Sequence, residues 1–122
     1  MYSPLVIEHF SNPSYVGDVP NPDHEFEVGN SVCGDRIRIQ LNSESDKVDQ
    51  IAFRAWGCAT SIATADIFCK SVTGKSYTDI EARSEGEIRD LLGELDPPQK
   101  HCIDIMMSLH SLLLKNVLKE DA

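Results

Sequence analysis

The chain has 122 residues, the usual size of one domain, so we expect a single domain over residues 1–122. Its 20 acidic residues outnumber 11 Lys and Arg residues, and no basic cluster offsets the net charge of −9, which argues against nucleic acid and anionic membranes as partners. The longest stretch without a charged residue, Ala55–Ala65, is too short to span a bilayer.

The beginning of the chain has neither a basic segment nor a long apolar one, so it does not resemble a secretory signal. We therefore expect a reducing, cytoplasmic location. In such a compartment the four cysteines are more often ligands or nucleophiles than disulfide partners.

A short helix is predicted first, with Ser3 as N-cap and Pro4 at its first position, and Asn12-Pro13 ends it. Residues 11–25 contain three prolines and no periodicity, and this pattern predicts a loop that includes His24.

Alternating polar and apolar residues predict strands. Arg36–Leu41 and Val48–Trp56 alternate on either side of the turn-like residues 42–46, which indicates an antiparallel hairpin. Phe26–Val32 is expected to add a third strand.

Helical spacing follows Gly57. Apolar residues recur every three or four positions up to a Gly74 cap, at Ile62, Ala65, Cys69 and Val72. A turn of helix is expected over Tyr77–Ala82. Ser84 and Glu87 form a capping box that opens a short helix through Leu92. A long amphipathic helix follows the two prolines and runs to about Lys119. This order predicts an α+β fold: a small antiparallel three-stranded sheet with helices packed on one face.

The cysteines form no C-x-x-C pair, so the short-spaced zinc-finger and thioredoxin signatures are absent. Cys33 and Cys58 are 25 positions apart, and Cys58 and Cys102 are 44 apart. Any shared site would be assembled by tertiary structure. Each of the three lies at an element boundary, but spacing alone does not decide whether they share a metal or sulfur site.

The local geometry favours ligand or nucleophile roles for these three cysteines. Cys33 and Asp35 lie two residues apart in extended chain and so point to the same side. Cys58 and Cys102 lie near predicted helix N-termini, where the dipole favours the thiolate. His101 is interpreted as a ligand, a proton acceptor for the thiol or a solvated residue.

The remaining cysteine and histidines are interpreted as structural. Cys69 continues an apolar stripe and is expected in the core. The structural histidines are His9, His24 and His110.

Several motifs in order resemble one family, the IscU and NifU N-terminal scaffolds of iron–sulfur cluster assembly. The resemblance rests on Val6-Ile7-Glu8-His9-Phe10, Asn12-Pro13, Val16-Gly17, Cys33-Gly34-Asp35, Gly57-Cys58, Gly74-Lys75-Ser76, and Pro97-Pro98 with His101-Cys102.

The resemblance implies that Cys33, Cys58 and Cys102 bind a cluster or metal, with Asp35 and His101 as alternative fourth ligands. It implies a scaffold or carrier rather than an enzyme, holding a transient iron–sulfur cluster, expected as 2Fe-2S, with Zn²⁺ accepted by the same ligands. The expected partners are a cysteine desulfurase and apo iron–sulfur acceptor proteins. Cys102 is the expected sulfur acceptor, with Cys33 next.

Two comparisons with the family pattern indicate which partners to expect and which branch of the family the chain resembles. The prolines and lysine before His101 are displaced by one position, which argues against recognition by the family's Hsp70-type chaperone. The 44-position spacing and His101 resemble the IscU/NifU branch rather than the zinc-dependent SufU sulfurtransferases.

Three other functions remain open: a SufU-like sulfurtransferase, a zinc-stabilised interaction module and a redox protein with a cysteine pair. We expect a monomer or weak homo-oligomer.

Overall fold

A computed structural model describes residues 4–30, 35–57, 59–93 and 101–118. The elements are α1 (Pro4–Ser11), β1 (His24–Asn30), β2 (Asp35–Glu44), β3 (Lys47–Trp56), α2 (Ala59–Val72), α3 (Tyr77–Glu81), α4 (Glu85–Asp90) and α5 (His101–Leu118). The strands form one antiparallel sheet in the order β1-β2-β3. The predicted α+β class and its three-stranded sheet are confirmed.

The β2–β3 hairpin has a tighter turn than the sequence predicted. Ser45 and Asp46 have φ angles of 53° and 62°, so these two residues form the turn alone. A two-residue turn with both φ angles positive matches the right-handed twist of the flanking strands. Residues 42–44 therefore belong to β2. The pairing of β2 with β3 shifts its register between Asn42 and Ser43.

The first strand begins earlier than predicted. His24 pairs with Leu41 as the first residue of β1, so its assignment to a loop was wrong. Pairing with β2 outweighs the polar, loop-like composition around His24. Of the predicted strand Phe26–Val32, residues 31 and 32 lie outside the described residues.

The outer edge of β3 is covered by two segments that are not strands. Gly17 N–H donates to the Phe53 carbonyl oxygen at 3.0 Å, and Phe53 N–H donates to that of Tyr15 at 2.9 Å. Further along, Gly74 N–H donates to the Val48 carbonyl oxygen at 2.8 Å. These bonds satisfy backbone groups that an edge strand would otherwise expose. The long predicted loop is thus anchored along part of its length.

The core lies between the sheet and the helices. α2 packs against β2 and β3, and α5 packs against β1 and α2. The inward residues of β2 are fully buried: Ile37, Ile39 and Leu41. Cys69 is also fully buried, which confirms its assignment to the core. Within the described ranges, no helix combines the length and apolar character needed to cross a bilayer.

The shorter helices follow the predicted caps. Ser84 and Glu87 form the complete capping box at the start of α4. The predicted helix through Leu92 is shorter than expected, since Leu91 and Leu92 donate to carbonyl groups three residues back and close the helix as a turn.

Candidate functional site

One end of the sheet brings three chain segments together. Asn30, the last residue of β1, pairs with Asp35, and Arg36 next to it pairs with Trp56 at the end of β3. In the sequence, Cys33 lies between the first pair of strands and Cys58 follows Trp56 by two residues. Both cysteines lie outside the described residues.

The junction between β3 and α2 depends on glycine. Gly57 has a φ angle of 132°, a conformation that residues with a Cβ rarely adopt. α2 begins two residues later, at Ala59. The chain therefore bends at Gly57, directly before Cys58.

Cys102 is the second residue of α5 and its side chain is fully buried in the core. His101 is the first residue of this helix, which agrees with the predicted position of Cys102 near a helix N-terminus. A buried thiol at a helix N-terminus can act as a ligand from the interior. A protein-bound persulfide, in contrast, reaches it only when a neighbouring element moves aside.

The described residues supply only part of the predicted ligand set. Within them, no three His, Cys, Asp or Glu side chains converge on a point that could hold a metal ion. Of the five predicted ligands, the described side chain is that of Cys102. The shared site therefore stays a prediction.

The environment of Cys69 disfavours the charged form of its side chain. Desolvation raises the pKa of the Cys69 thiol well above its ordinary value, and the nearby Asp66 raises it further. The thiolate, which binds metals and attacks persulfides, is thus strongly disfavoured at this position.

Asp66 is a buried acidic residue that the sequence analysis missed. Its Oδ1 accepts hydrogen bonds from the N–H groups of Ser14 and Tyr15 at 2.8 and 2.9 Å, and its Oδ2 is hydrogen-bonded to His9 Nδ1 at 2.6 Å. Asp66 and His9 are 1% and 6% exposed. One carboxyl group thus ties α1 and the following loop to α2. One feature of the sequence could have indicated it: Asp66 is the only acidic residue between Gly57 and Thr78, in a segment that is otherwise mostly apolar or uncharged.

A second polar network joins α5 to the C-terminal end of α2. Arg83 donates to His110 Nε2 at 3.0 Å and to the Ser71 carbonyl oxygen at 2.6 Å, while His110 Nδ1 lies 2.8 Å from the Met106 carbonyl oxygen. Burial lowers the pKa of His110 to about 4, the Met106 carbonyl opposes this, and the charge of Arg83 lowers it further. His110 is therefore neutral near pH 7 and has the structural role that was predicted.

Comparison with known proteins identifies the family. Residues 1–115 match the model of the NifU-like N-terminal domain. This chain belongs to the NifU-like N-terminal domain family. The matched region includes all three cysteines of the predicted site.

Curated relatives of this NifU-like chain include two that are named as scaffold proteins. The iron–sulfur cluster assembly scaffold protein IscU of Escherichia coli is 32% identical over 105 residues, which cover 83% of this chain and 81% of that protein. IscU of Aquifex aeolicus is 29% identical over 119 residues, covering 96% and 76%. The bifunctional protein NifU/MnmA of Rubrobacter xylanophilus is 38% identical over 100 residues, and this chain spans only 20% of its length.

Solved structures show the same fold. A nitrogen-fixing NifU-like protein (N-terminal) from Brucella abortus superposes with a TM-score of 0.62 at 16% identity, covering 93% of this chain and 80% of the other. A SUF-system protein from Fervidobacterium islandicum superposes with a TM-score of 0.63 at 20% identity, covering 97% and 91%. These likenesses establish the NifU-like fold of the chain.

Proposed function

We propose that this chain is a scaffold on which an iron–sulfur cluster is assembled before transfer to apo-proteins. The observation that carries the proposal is the family match over residues 1–115, which spans Cys33, Cys58 and Cys102. We further propose that residues 1–122 act as one scaffold domain. A chain that uses thiolates as ligands works in a reducing compartment such as the cytoplasm.

The proposed ligands are Cys33, Cys58 and Cys102, with Asp35 or His101 in the fourth position. Sheet topology supports this set, because the strand ends that flank Cys33 and Cys58 in the chain are paired neighbours. α5, which begins with His101 and Cys102, packs on β1 and α2, whose ends flank the same two cysteines.

A mixed ligand set suits a cargo that has to leave. Three thiolates retain iron and sulfide, while a carboxylate or imidazole is a poorer match than a fourth thiolate. An acceptor protein can therefore exchange ligands at that position. The cluster, expected as 2Fe-2S, is cargo, and the chain acts as a carrier rather than an enzyme.

Sulfur reaches the scaffold as a persulfide presented by a cysteine desulfurase. A scaffold thiolate attacks the terminal sulfur of that persulfide, and the desulfurase thiolate leaves. Cys102 is the first proposed acceptor because it lies at a helix N-terminus. Its complete burial requires α5 or an adjacent segment to move during transfer, and Cys33 is the alternative acceptor.

Three competing functions would use the cysteines in other ways. A SufU-like sulfurtransferase would pass on persulfide sulfur without building a cluster. A zinc-stabilised module would lose its fold with its metal, and a redox protein would need a cysteine pair. His101 and the spacing of Cys58 and Cys102 favour the scaffold. The displaced prolines argue against an Hsp70-type chaperone as a further partner, and the chain is proposed to act as a monomer or weak homo-oligomer.

Zinc binding tests the proposed ligands. The apo-protein is expected to bind one Zn²⁺ per chain in S-rich tetrahedral coordination, measured by titration and X-ray absorption. Cys33→Ser, Cys58→Ser and Cys102→Ser should each weaken binding strongly. Cys69→Ser is the matched control and should keep the stoichiometry, because Cys69 belongs to the core. Full affinity after loss of Cys58 would refute the proposed site.

A further inference from the structure

The outward face of the sheet carries a group of side chains that the proposed scaffold function does not use. Two adjacent cross-strand pairs, Arg36 with Trp56 and Arg38 with Arg54, lie side by side on β2 and β3. We call these four residues the arginine face. It holds three of the five arginines of an acidic chain.

Trp56 orders two of these arginines. The guanidinium carbon of Arg36 lies 4.3 Å from the centre of the Trp56 ring, and that of Arg38 lies 5.5 Å away. Both distances allow cation–π attraction. Trp56 itself is 41% exposed, which is unusual for so large an apolar side chain. Arginines held against a ring lose little conformational entropy when they bind a ligand.

The arginines differ in how far their charge is already neutralised. Arg54 donates twice to the Asp18 carboxylate, at 3.0 and 3.3 Å, and this contact lowers the pKa of Asp18. The Nε atoms of Arg36 and Arg38 instead lie 3.6 and 3.9 Å from the same oxygen, Oε2 of Glu27. Two cations thus share one carboxylate at distances beyond a good hydrogen bond. One positive charge is left in excess, with guanidinium N–H groups facing solvent.

A cleft of about 520 Å³ adjoins the arginine face at the edge of β3. Its polar rim consists of Arg38, Arg54 and the Asp18 carboxylate that Arg54 already neutralises, and its apolar wall consists of Val16, Phe53, Ala55, Trp56 and Ile62. Val16 is half exposed. The cleft can accept an apolar side chain whose neighbours carry carboxylates.

We propose that the arginine face and this cleft form a docking surface for an acidic segment of a partner protein. Carboxylates of the segment bind Arg36 and Arg38, and an apolar side chain between them enters the cleft. The chain's net charge of −9 repels long polyanions such as nucleic acids, and it repels a second copy of the chain. A short acidic segment escapes most of this repulsion because it contacts only the cationic part of the surface. The proposal does not depend on the scaffold function.

The sole tryptophan of the chain reports on this surface, because it is Trp56. A short peptide of Glu, Leu and Gly serves as the probe, and a peptide with Gln at every Glu position serves as its control. The Glu peptide is expected to change Trp56 fluorescence saturably, whereas the Gln peptide should not. Equal responses to the two peptides would overturn the proposal.

Charge variants separate docking from misfolding. Arg36→Gln/Arg38→Gln should weaken binding of the Glu peptide by roughly tenfold or more, since charge-assisted hydrogen bonds are lost. Lys70→Gln/Arg89→Gln removes the same charge at exposed positions outside the arginine face and should change the affinity less than about twofold. Glu27→Gln should strengthen binding, because it removes the carboxylate that competes for both arginines. A gain of affinity cannot arise from misfolding.

Other occupants of the surface are outcomes that would overturn the proposal. One is tighter binding of a single-stranded oligonucleotide with the same dependence on Arg36 and Arg38. Another is displacement of the Glu peptide by an equal concentration of inorganic phosphate, which would indicate a simple anion site. A third is a dimer, seen by analytical ultracentrifugation, that Arg36→Gln/Arg38→Gln dissociates. Equal loss of peptide binding in the Lys70→Gln/Arg89→Gln control would also contradict it.

Discussion

The Asp66 side chain connects α2 to α1 and to the segment that follows α1. Its buried carboxyl group contacts His9 in the interior and accepts two part-buried backbone hydrogen bonds, from Ser14 and Tyr15. Removing it would leave three polar groups without partners. Buried polar groups left in this way cost far more than the net contribution of an ordinary hydrogen bond.

Asp66→Ala is therefore expected to lower the free energy of unfolding by about 3 kcal/mol. Urea denaturation followed by circular dichroism measures this. Asp49→Ala is the matched control, because Asp49 is exposed on β3 and should change the stability by less than about 0.5 kcal/mol. Similar losses in the two variants would contradict the role of Asp66.

His110 predicts a pH dependence of stability. Its pKa in the folded chain is about 4, below the value of about 6.5 in an unfolded chain. As pH falls below about 6.5, the unfolded state binds the proton first, so stability that is present at higher pH is lost towards pH 4.

Between pH 7 and pH 4 the wild-type chain should lose about 3 kcal/mol more than His110→Gln, which carries no titrating group at this position. Urea midpoints of both proteins across this range give the difference. Parallel pH profiles would show that His110 does not titrate below its ordinary range.

At the scale of elements, the residues after α1 behave as part of the sheet and core rather than as a loop. Ser14 and Tyr15 donate to Asp66, and Gly17 donates to Phe53 of β3. All three amides should therefore exchange slowly with solvent although they lie outside helices and strands.

Hydrogen exchange by NMR tests this coupling of segments. In Asp66→Ala, the amides of Ser14 and Tyr15 should exchange faster by about tenfold or more, while that of Gly17 keeps most of its protection. A Gly17 amide that already exchanges fast in the wild type would contradict the covered edge of β3.

Much of the element order could be predicted, because periodicity and caps are local signals. Alternation found β2 and β3, helical spacing found α2 and α5, and the capping box found α4. The turn at Ser45 and Asp46 was misjudged, because Ser and Asp only tolerate the positive φ angles that glycine marks clearly. Asp66 was missed because its partners are more than 50 positions away in the chain.

The candidate site was predictable only in part for the same reason. Burial of Cys69 followed from its apolar stripe, and the helical spacing after Gly57 indicated the start of α2 next to Cys58. Convergence of three cysteines 25 and 44 positions apart is a tertiary property, so spacing left it undecided. The family resemblance supplied the ligand set, and the complete burial of Cys102 emerged only from the packing of α5.

At the scale of the whole molecule, one end of the sheet brings the strand ends next to Cys33 and Cys58 in the chain together. Asn30 pairs with Asp35 on either side of Cys33 in the chain, and Arg36 pairs with Trp56 two residues before Cys58, while Cys102 of α5 is buried in the core. The arginine face lies on the opposite surface of the same strands. A partner bound there and in the adjoining cleft would contact the end of β3 and Ile62 of α2.

Anaerobic cluster assembly with a cysteine desulfurase, cysteine, ferrous iron and excess dithiothreitol, which reduces persulfide sulfur to sulfide, tests the central claim most directly. Visible absorption should show a cluster on the wild type and on Cys69→Ser, but not on Cys58→Ser, and the cluster should then pass to an apo-ferredoxin. A wild-type chain that gains persulfide but never develops cluster absorption, while folded and able to bind zinc, would contradict the scaffold function and favour a sulfurtransferase.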